Sequence, residues 1–341
     1  MLDVAIHTEN LSLTFARSTH TALIGPPACG TSTLLRLIAG EQKPQGTVHI
    51  GPHDVTKLPP SRRPLLYVTA DIAAPTRWSV EHALVNAVRS RTLDRIDRHH
   101  ELKLAASKWH IDDLMARRIA TLSDHERARL HLASIELRKP AILIADKLLR
   151  DASDLADEWY RTLRVMGTTV IGATSSIAEL GYTDRVVVLD DGHVVQEGSA
   201  AHVYARPNSV ASAISTGAVN VIPIVIKNGE AESPIGTWNA TAFEGEGIAL
   251  ARPSDFAIAQ AGEDSDFIFG IEEASFREGR WLARGFISGV ITLTVELPRD
   301  VAVEKGRLLP LRYDSSRFTL LRTPFAPRVG VHEHSRPESP K

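Results

Sequence analysis

The stretch that most limits what this chain can fold into is Gly25-Pro26-Pro27-Ala28-Cys29-Gly30-Thr31-Ser32-Thr33-Leu34-Leu35. It follows a short apolar run, Thr21-Ala22-Leu23-Ile24, and opens a helical run that ends at Ile38-Ala39-Gly40. Strand, glycine-bounded loop and helix in that order predict a phosphate-binding loop. Such a loop turns successive backbone N–H groups and a helix N-terminus toward one anion. The usual pattern is Gly-x-x-x-x-Gly-Lys-Ser/Thr. Thr31 stands at the lysine position, so the outline is kept while its fixed positive charge is missing.

Around this loop the chain alternates strands and helices. Residues 4–6, 11–15, 46–51 and 65–68 read as short strands, and residues 80 to about 108 as a helical run. The middle of that run (Arg95, Arg98, His99, His100) reads as a solvated helix face. Residues 120–137 form a second helical region. Ala141-Ile142-Leu143-Ile144-Ala145-Asp146 is an unbroken apolar strand ending in a carboxylate, suited to the centre of a parallel sheet. Residues 152–164 read as helix, 168–173 and 185–189 as strands, and Asp190-Asp191-Gly192-His193 as a hairpin turn. This alternation predicts an α/β layer architecture.

Past about Val219 the helical period stops, and short β-rich runs between Gly, Pro and Asp turns predict a small barrel or sandwich. Residues 323–341 are rich in Pro, His and Arg and read as a disordered tail, with His332 and His334 solvated. A length of 341 residues accommodates two domains. A formal net charge of −2 gives no argument for a nucleic-acid partner. The single cysteine, Cys29, rules out an internal disulfide and fits a reducing cytoplasm. The start does not read as a signal peptide, and no apolar run has the length of a membrane span. A membrane role would therefore come through a partner.

Several segments then carry a resemblance by their order and spacing. They are Ser32-Thr33-Leu34-Leu35-Arg36-Leu37-Ile38-Ala39-Gly40, the run from Asp54 to Arg63, Leu122-Ser123, and Lys139-Pro140 before the strand ending at Asp146. Asp184-Arg185-Val186-Val187-Val188-Leu189, Asp191-Gly192 and Arg252-Pro253-Ser254-Asp255 complete the set. Together they resemble the ATP-binding subunit of an ABC transporter, of the importer type with a C-terminal oligosaccharide-binding-like (TOBE) domain. The resemblance implies an α/β P-loop NTPase fold, an ABC-type nucleotide-binding domain over residues 1–218 with a helical subdomain at about 80–138. A small all-β OB-like TOBE domain over 219–322 would follow, then the tail. It also implies ATP with Mg²⁺, transmembrane permease subunits, and a second ATP-binding subunit or a self-dimer, with no nucleic acid. The chain would lie peripherally on the cytoplasmic face of the cell membrane.

In the family two subunits sandwich two ATPs, each between the Walker motifs of one and the signature motif of the other. The nucleotide positions map onto Gly25, Pro26, Pro27, Ala28, Cys29, Gly30, Thr31, Ser32, Thr33 and Asp146, with Ser32 and Asp146 as the Mg²⁺ positions. Helix capping alone also explains Ser32 and Thr33. Thr31 cannot neutralise phosphate, and charge-assisted bonds are the stronger ones, so ATP binding is expected to be weakened. Ala28 replaces a glycine, and a residue with a Cβ resists positive φ, so the loop is expected to be distorted. The glutamine of the glutamine loop maps onto Ala70, the general base onto Lys147 and the switch histidine onto Thr174. An ammonium cannot accept a proton. The signature maps onto Leu122-Ser123-Asp124-His125-Glu126, with two glycines lost. Its new acids add negative charge, or simply face the helix dipole.

Lys147 either restores weak anion binding or pairs with Asp146 or Asp151. The short start is not expected to carry the aromatic residue that stacks on adenine, and Cys29 is given no redox role. The reading is a catalytically degenerate importer subunit with a structural or regulatory part beside an active ATPase. The alternatives are a slow transport ATPase with divergent motifs and a regulatory module unattached to a transporter. Residues 71–80 resemble the permease-contacting region, although core packing also explains Trp78. Pro59-Pro60-Ser61-Arg62-Arg63-Pro64 is more similar to polyamine, iron or sulfate importers than to some sugar importers.

Overall fold

The computed structural model describes residues 3–71, 74–89, 91, 94–150, 152–260, 262–277, 279–287 and 291–322. Its chain divides into two units, Met1–Gly217 and Ala218–Lys341. The first opens with β1 (Val4–Thr8), β2 (Ser12–Phe15) and β3 (His20–Ile24), followed by the loop and α1 (Thr31–Ala39). β4 (Gly46–Ile50), β5 (His53–Asp54) and β6 (Leu66–Thr69) come next. The alternating residues of β1 and β2 bury Val4, Ile6, Leu13 and Phe15, as a sheet with one covered face requires. α1 ends at Gly40 with φ 84°, where an added Cβ would stand 2.5 Å from Arg63 Nε. Arg63 is buried and closes this helix end from outside, donating from Nη1 to the Leu37 and Ile38 carbonyls at 2.9 and 2.6 Å. They belong to the last turn, where carbonyls lack an i+4 donor, and the Leu37 carbonyl also accepts from the Gly40 N–H at 3.2 Å.

The run from residue 80 to 108 is two helices rather than one, because two residues each start a helix with a side-chain cap. Ser79 accepts from the His82 N–H at the start of α2 (Val80–Val88), and Asp94 from the Asp97 N–H at the start of α3 (Arg95–Lys108). His99 and His100 are exposed on α3. α4 (Asp124–Arg138) follows a separate 3₁₀ turn at Ile119–Thr121. The Trp109 Nε1–H and Lys108 both donate to the Glu136 carboxylate, at 2.6 and 3.0 Å, which ties α3 to α4. Then come β7 (Ile142–Asp146), α5 (Ala156–Met166), β8 (Thr169–Ala173), the short α6 (Ile177–Leu180), β9 (Arg185–Asp190) and β10 (His193–Gly198). The β9–β10 turn takes Asp191 and Gly192 to φ 46° and 76°, as a two-residue hairpin demands. α7 (Ala200–Ala205) and α8 (Val210–Thr216), which the sequence pattern did not single out, close the unit.

A six-stranded sheet in the order β10-β9-β3-β8-β7-β6 organises the unit, parallel throughout except at β10. β3 is buried at every residue and β7 at all but its last, which explains their unbroken apolar sequences. The helices α2 to α5 bury Leu84, Trp109, Leu130 and Trp159 in one core with Leu143 and Val170. A second core joins Leu35 and Ile38 of α1 to Ile144 of this sheet and to Ile50 of a four-stranded antiparallel sheet, β2-β1-β4-β5.

The second unit is all-β. One five-stranded antiparallel sheet has the order β13-β12-β11-β14-β20, built from β11 (Asn220–Lys227), β12 (Glu230–Ser233), β13 (Gly236–Asn239), β14 (Gly245–Ala251) and β20 (Thr319–Arg322). The other, β15-β19-β16-β17-β18, comprises β15 (Phe256–Ile258), β16 (Phe267–Arg277), β17 (Arg280–Ile287), β18 (Ile291–Leu297) and β19 (Leu308–Tyr313). They share a core that includes Ile224, Trp238, Phe269, Val295 and Leu311. Arg252 and Asp255, from the Arg-Pro-Ser-Asp segment, form a reciprocal cap in which the Asp255 carboxylate accepts from the Arg252 N–H at 2.6 Å. The tail beyond residue 322 and its histidines lie outside the described residues.

Candidate phosphate-loop site

Four neighbouring strands, β3, β8, β7 and β6, deliver the predicted positions at their carboxyl ends. Ligands of parallel α/β sheets bind at such ends. Thr174 follows β8 and its N–H donates to the Leu23 carbonyl at 3.2 Å. Lys147 follows β7 and its N–H donates to the Ala173 carbonyl at 2.9 Å. Thr69 pairs in register with Asp146, which puts Ala70 beside the end of β7. The loop follows β3, between Ile24 and α1.

The Cβ of Ala28, expected to resist positive φ, does not keep the residue out of that region. Ala28 takes up the left-handed conformation, φ 65°, that a glycine would supply. The Cys29 N–H donates to the Pro26 carbonyl at 3.1 Å, and the Cys29 carbonyl accepts from the Gly192 N–H at 3.0 Å. These bonds over-determine the turn, and the alanine bears its cost, about 1–2 kcal/mol for an L-residue. Gly25 is obligatory, since a Cβ there would meet the Leu189 carbonyl oxygen at 2.2 Å. Cys29 is buried, and its Sγ is 3.8 Å from the Thr31 hydroxyl.

The Ser32 hydroxyl donates to Asp146 at 3.0 Å. Octahedral Mg²⁺ with ligands at about 2.1 Å separates neighbouring oxygens by about 3 Å, so this hydroxyl and carboxylate fit two places around such an ion. Thr31 supplies a hydroxyl only. Lys147 is exposed and also left-handed, φ 52°. The expected pairing with Asp146 is absent: among the described residues no carboxylate lies within ion-pair distance of its ammonium. Asp151, the other candidate, lies outside the described residues.

Thr174 does not turn its hydroxyl to the loop. That group donates to Glu179 Oε1 at 2.8 Å and accepts from the Ser176 N–H at 2.9 Å. Glu179 is buried, also accepts from the Tyr160 hydroxyl at 3.1 Å, and burial pushes its carboxyl pKa up. Behind Ala70 lies His131 of α4, whose pKa burial lowers to about 4 against the opposing pull of the Ala70 carbonyl. Neither Glu179 nor His131 stood out in the sequence. Each sits in an ordinary helix, and only the packing turns it inward.

At the signature position Ser123 caps α4. Its hydroxyl accepts from the Glu126 N–H at 3.2 Å, and the Glu126 carboxylate accepts from the Ser123 N–H at 2.7 Å. That second bond holds the Glu126 carboxyl below the usual carboxylate range. Asp124 and Glu126 lie in the first turn of α4, where they face the helix dipole, and Asp124 pairs with Arg127 and Glu126 with Arg117, which offsets their charge. His125 Nε2 lies 2.8 Å from Asp154 Oδ2. Trp78 is half-buried against the helical core, its ring centroid 4.4 Å from that of His82, so packing accounts for it.

A parallel sheet, a phosphate loop on a central strand and a Ser–Asp pair beneath it define a P-loop nucleotide-binding protein. Comparison with known proteins narrows this. The ABC transporter family model matches residues 8–149. The sn-glycerol-3-phosphate import ATP-binding protein UgpC of Brucella abortus biovar 1 (strain 9-941) is 30% identical over 273 residues, 76% of this chain and 75% of the relative. The spermidine/putrescine import ATP-binding protein PotA of Marinobacter nauticus is 28% identical over 282 residues, 77% and 75% of the two chains. In fold, the chain is similar to cbiO1 of Clostridium perfringens, part of the ABC transporter complex cbiONQ, with TM-score 0.52, 22% identity and coverage of 59% and 90%. It is also similar to an ATP-binding cassette of an ABC transporter, MJ1267, in its ADP conformation, with TM-score 0.53, 17% identity and coverage of 63% and 99%. The chain belongs to the ABC transporter family, as an ATP-binding subunit of the importer type. Among the described residues no helix is long and apolar enough to cross a membrane.

Proposed function

We propose that this subunit no longer hydrolyses ATP at an ordinary rate and serves a structural or regulatory part on an import permease, beside an active ATPase subunit. The observation that carries this reading is Lys147, held by its backbone directly after Asp146, where the general base would stand. An ammonium cannot take the proton of an attacking water. Thr31 leaves a triphosphate without its fixed cation, so ATP binding is weakened. Thr174 spends its hydroxyl on Glu179, and Ala70 has no side-chain ligand to offer Mg²⁺. Ser32 and Asp146 would hold the ion, whose part is to neutralise phosphate charge. The C-terminal β unit is read as a TOBE-like domain, and the chain as peripheral to the cytoplasmic membrane face through permease contacts. The two relatives carry different cargoes in their names, so no cargo is assigned.

The test is Mg²⁺-dependent phosphate release by the purified chain, with an intact family ATPase as standard. Release at the no-protein background is expected. Turnover that is abolished by Asp146→Asn would favour a slow ATPase with divergent motifs instead.

A further inference from the structure

We infer that the outer face of the β15-β19-β16-β17-β18 sheet is a docking surface, and that its occupant is the chain's own terminal segment, residues 325–331. An antiparallel sheet with one solvated face alternates apolar residues inward and polar residues outward. Part of this face obeys that rule. Glu273 and Arg284 lie opposite each other with an ion pair at 3.5 Å, and Thr294 lies opposite Arg284. The other part does not. Gly270 lies opposite Leu308 on one side and Phe286 on the other, and Ile268 lies opposite Pro310. Ile268, Phe286 and Leu308 are 48%, 46% and 67% exposed, and Pro310 is exposed as well. A Cβ on Gly270 would stand 3.4 Å from the Leu308 side chain and 3.7 Å from that of Phe286, so these two flank a glycine floor. Neighbouring apolar side chains left exposed in this way mark an interaction site.

The occupant is argued from the sequence beyond β20, which ends at Arg322. Phe325, Pro327, Val329 and Val331 alternate with Ala326, Arg328, Gly330 and His332. In an extended segment this alternation puts four apolar side chains on one side. Thr323 and Ala326 each precede a proline, which biases both toward the extended form. From Arg322 to Val329 an extended chain spans up to about 25 Å, more than the ~10 Å between stacked sheets, so the segment can round the sheet edge. Arg328 is the one fixed charge from residue 323 to residue 332. Two carboxylates close to the apolar positions in sequence have no ion-pair partner among the described residues: Glu272, at the bulge just past Gly270, and Asp264, ahead of β16. A cationic segment and an anionic rim are complementary. Four apolar residues are too few to bury themselves, so the order of the segment depends on this face.

The experiment measures binding of a labelled peptide of residues 323–341 to two forms of the full chain, one unaltered and one with Phe325→Asp and Val329→Asp in its own tail. The peptide is expected to bind the altered chain, and to bind the unaltered chain at least about fivefold more weakly, because the tethered copy competes at an effective concentration on the order of millimolar. Adding Phe286→Asp or Leu308→Asp to the altered chain should weaken peptide binding at least about tenfold. Both positions are exposed, so an unchanged unfolding midpoint separates a lost contact from a lost fold. No binding up to millimolar peptide overturns the inference, as does equal affinity for the two forms. So does affinity indifferent to Phe286→Asp and Leu308→Asp. Self-association of the unaltered chain that Phe286→Asp abolishes also overturns it, and assigns the face to a second copy.

Discussion

Ala28 shows at the residue scale how far this loop has departed from its pattern without losing its shape. Its left-handed backbone stores strain that Gly would relieve, while Gly also adds freedom to the unfolded chain. Ala28→Gly is expected to raise unfolding free energy by about 1 kcal/mol, read as a higher urea midpoint at constant slope. An unchanged or lower midpoint would mean that the alanine sits there unstrained. The loop and the placing of Ala70, Lys147 and Thr174 just after neighbouring strands were legible in the sequence, because a motif fixes its members by spacing. The conformation of Ala28 was not, since the Cys29–Gly192 backbone bond that enforces it joins segments far apart in the chain. The absence of a Lys147–Asp146 pair and the arginine partners of the signature acids were not legible for the same reason. Arg117 and Arg127 carry no mark that assigns them to Glu126 and Asp124.

Among the elements, α3 and α4 are joined by the shared core, by Lys139 donating to Glu101 at 2.8 Å, and by one doubly used acceptor. Glu136 takes the N–H of Trp109, a side chain only 2% exposed, as well as the Lys108 ammonium. Glu136→Ala leaves that indole N–H buried and unpaired, which costs about 1–3 kcal/mol. Thermal unfolding followed by tryptophan fluorescence measures it, and Trp109→Phe in the Glu136→Ala background should recover part of the loss. A loss of under about 0.5 kcal/mol would count against the bond. At this scale the strong periods read well: the unbroken run of β7 and the glycine-bounded loop gave their elements directly. The pair β12–β13 did not, because Glu230-Ala231-Glu232-Ser233 buries only Ala231 and is too polar to stand out from a turn. α7 and α8 are too short to establish a helical period.

Taken as a whole molecule, the first unit holds two histidines that fold in their neutral form. Burial lowers both His20 and His131 to about 4. Between pH 4 and the unfolded value of about 6.5 the unfolded chain binds more protons, so their stabilisation is present above pH 6.5 and is lost as pH falls toward 4. Each contributes up to about 3 kcal/mol. Glu179, whose carboxyl is raised by burial, works in the opposite direction and takes up a proton in the folded state. The net expectation is an unfolding midpoint that drops between pH 6.5 and 4, with His131→Phe flattening the drop; a midpoint indifferent to pH over that span would refute it.

Under the proposed reading, pairing with an intact ATPase leaves both composite sites incomplete, one at Thr31, Ala70, Lys147 and Thr174 and the other at Asp124-His125-Glu126. A mixed dimer should therefore hydrolyse ATP well below the rate of the intact homodimer, and equal rates would rule out the pairing model. The backbone bonds from Thr174 to Leu23 and from Lys147 to Ala173 involve no side chain at all. The frame is thus indifferent to its occupants. A side-chain replacement at Lys147 or Thr174 therefore leaves the bonds that tie these strand ends together in place.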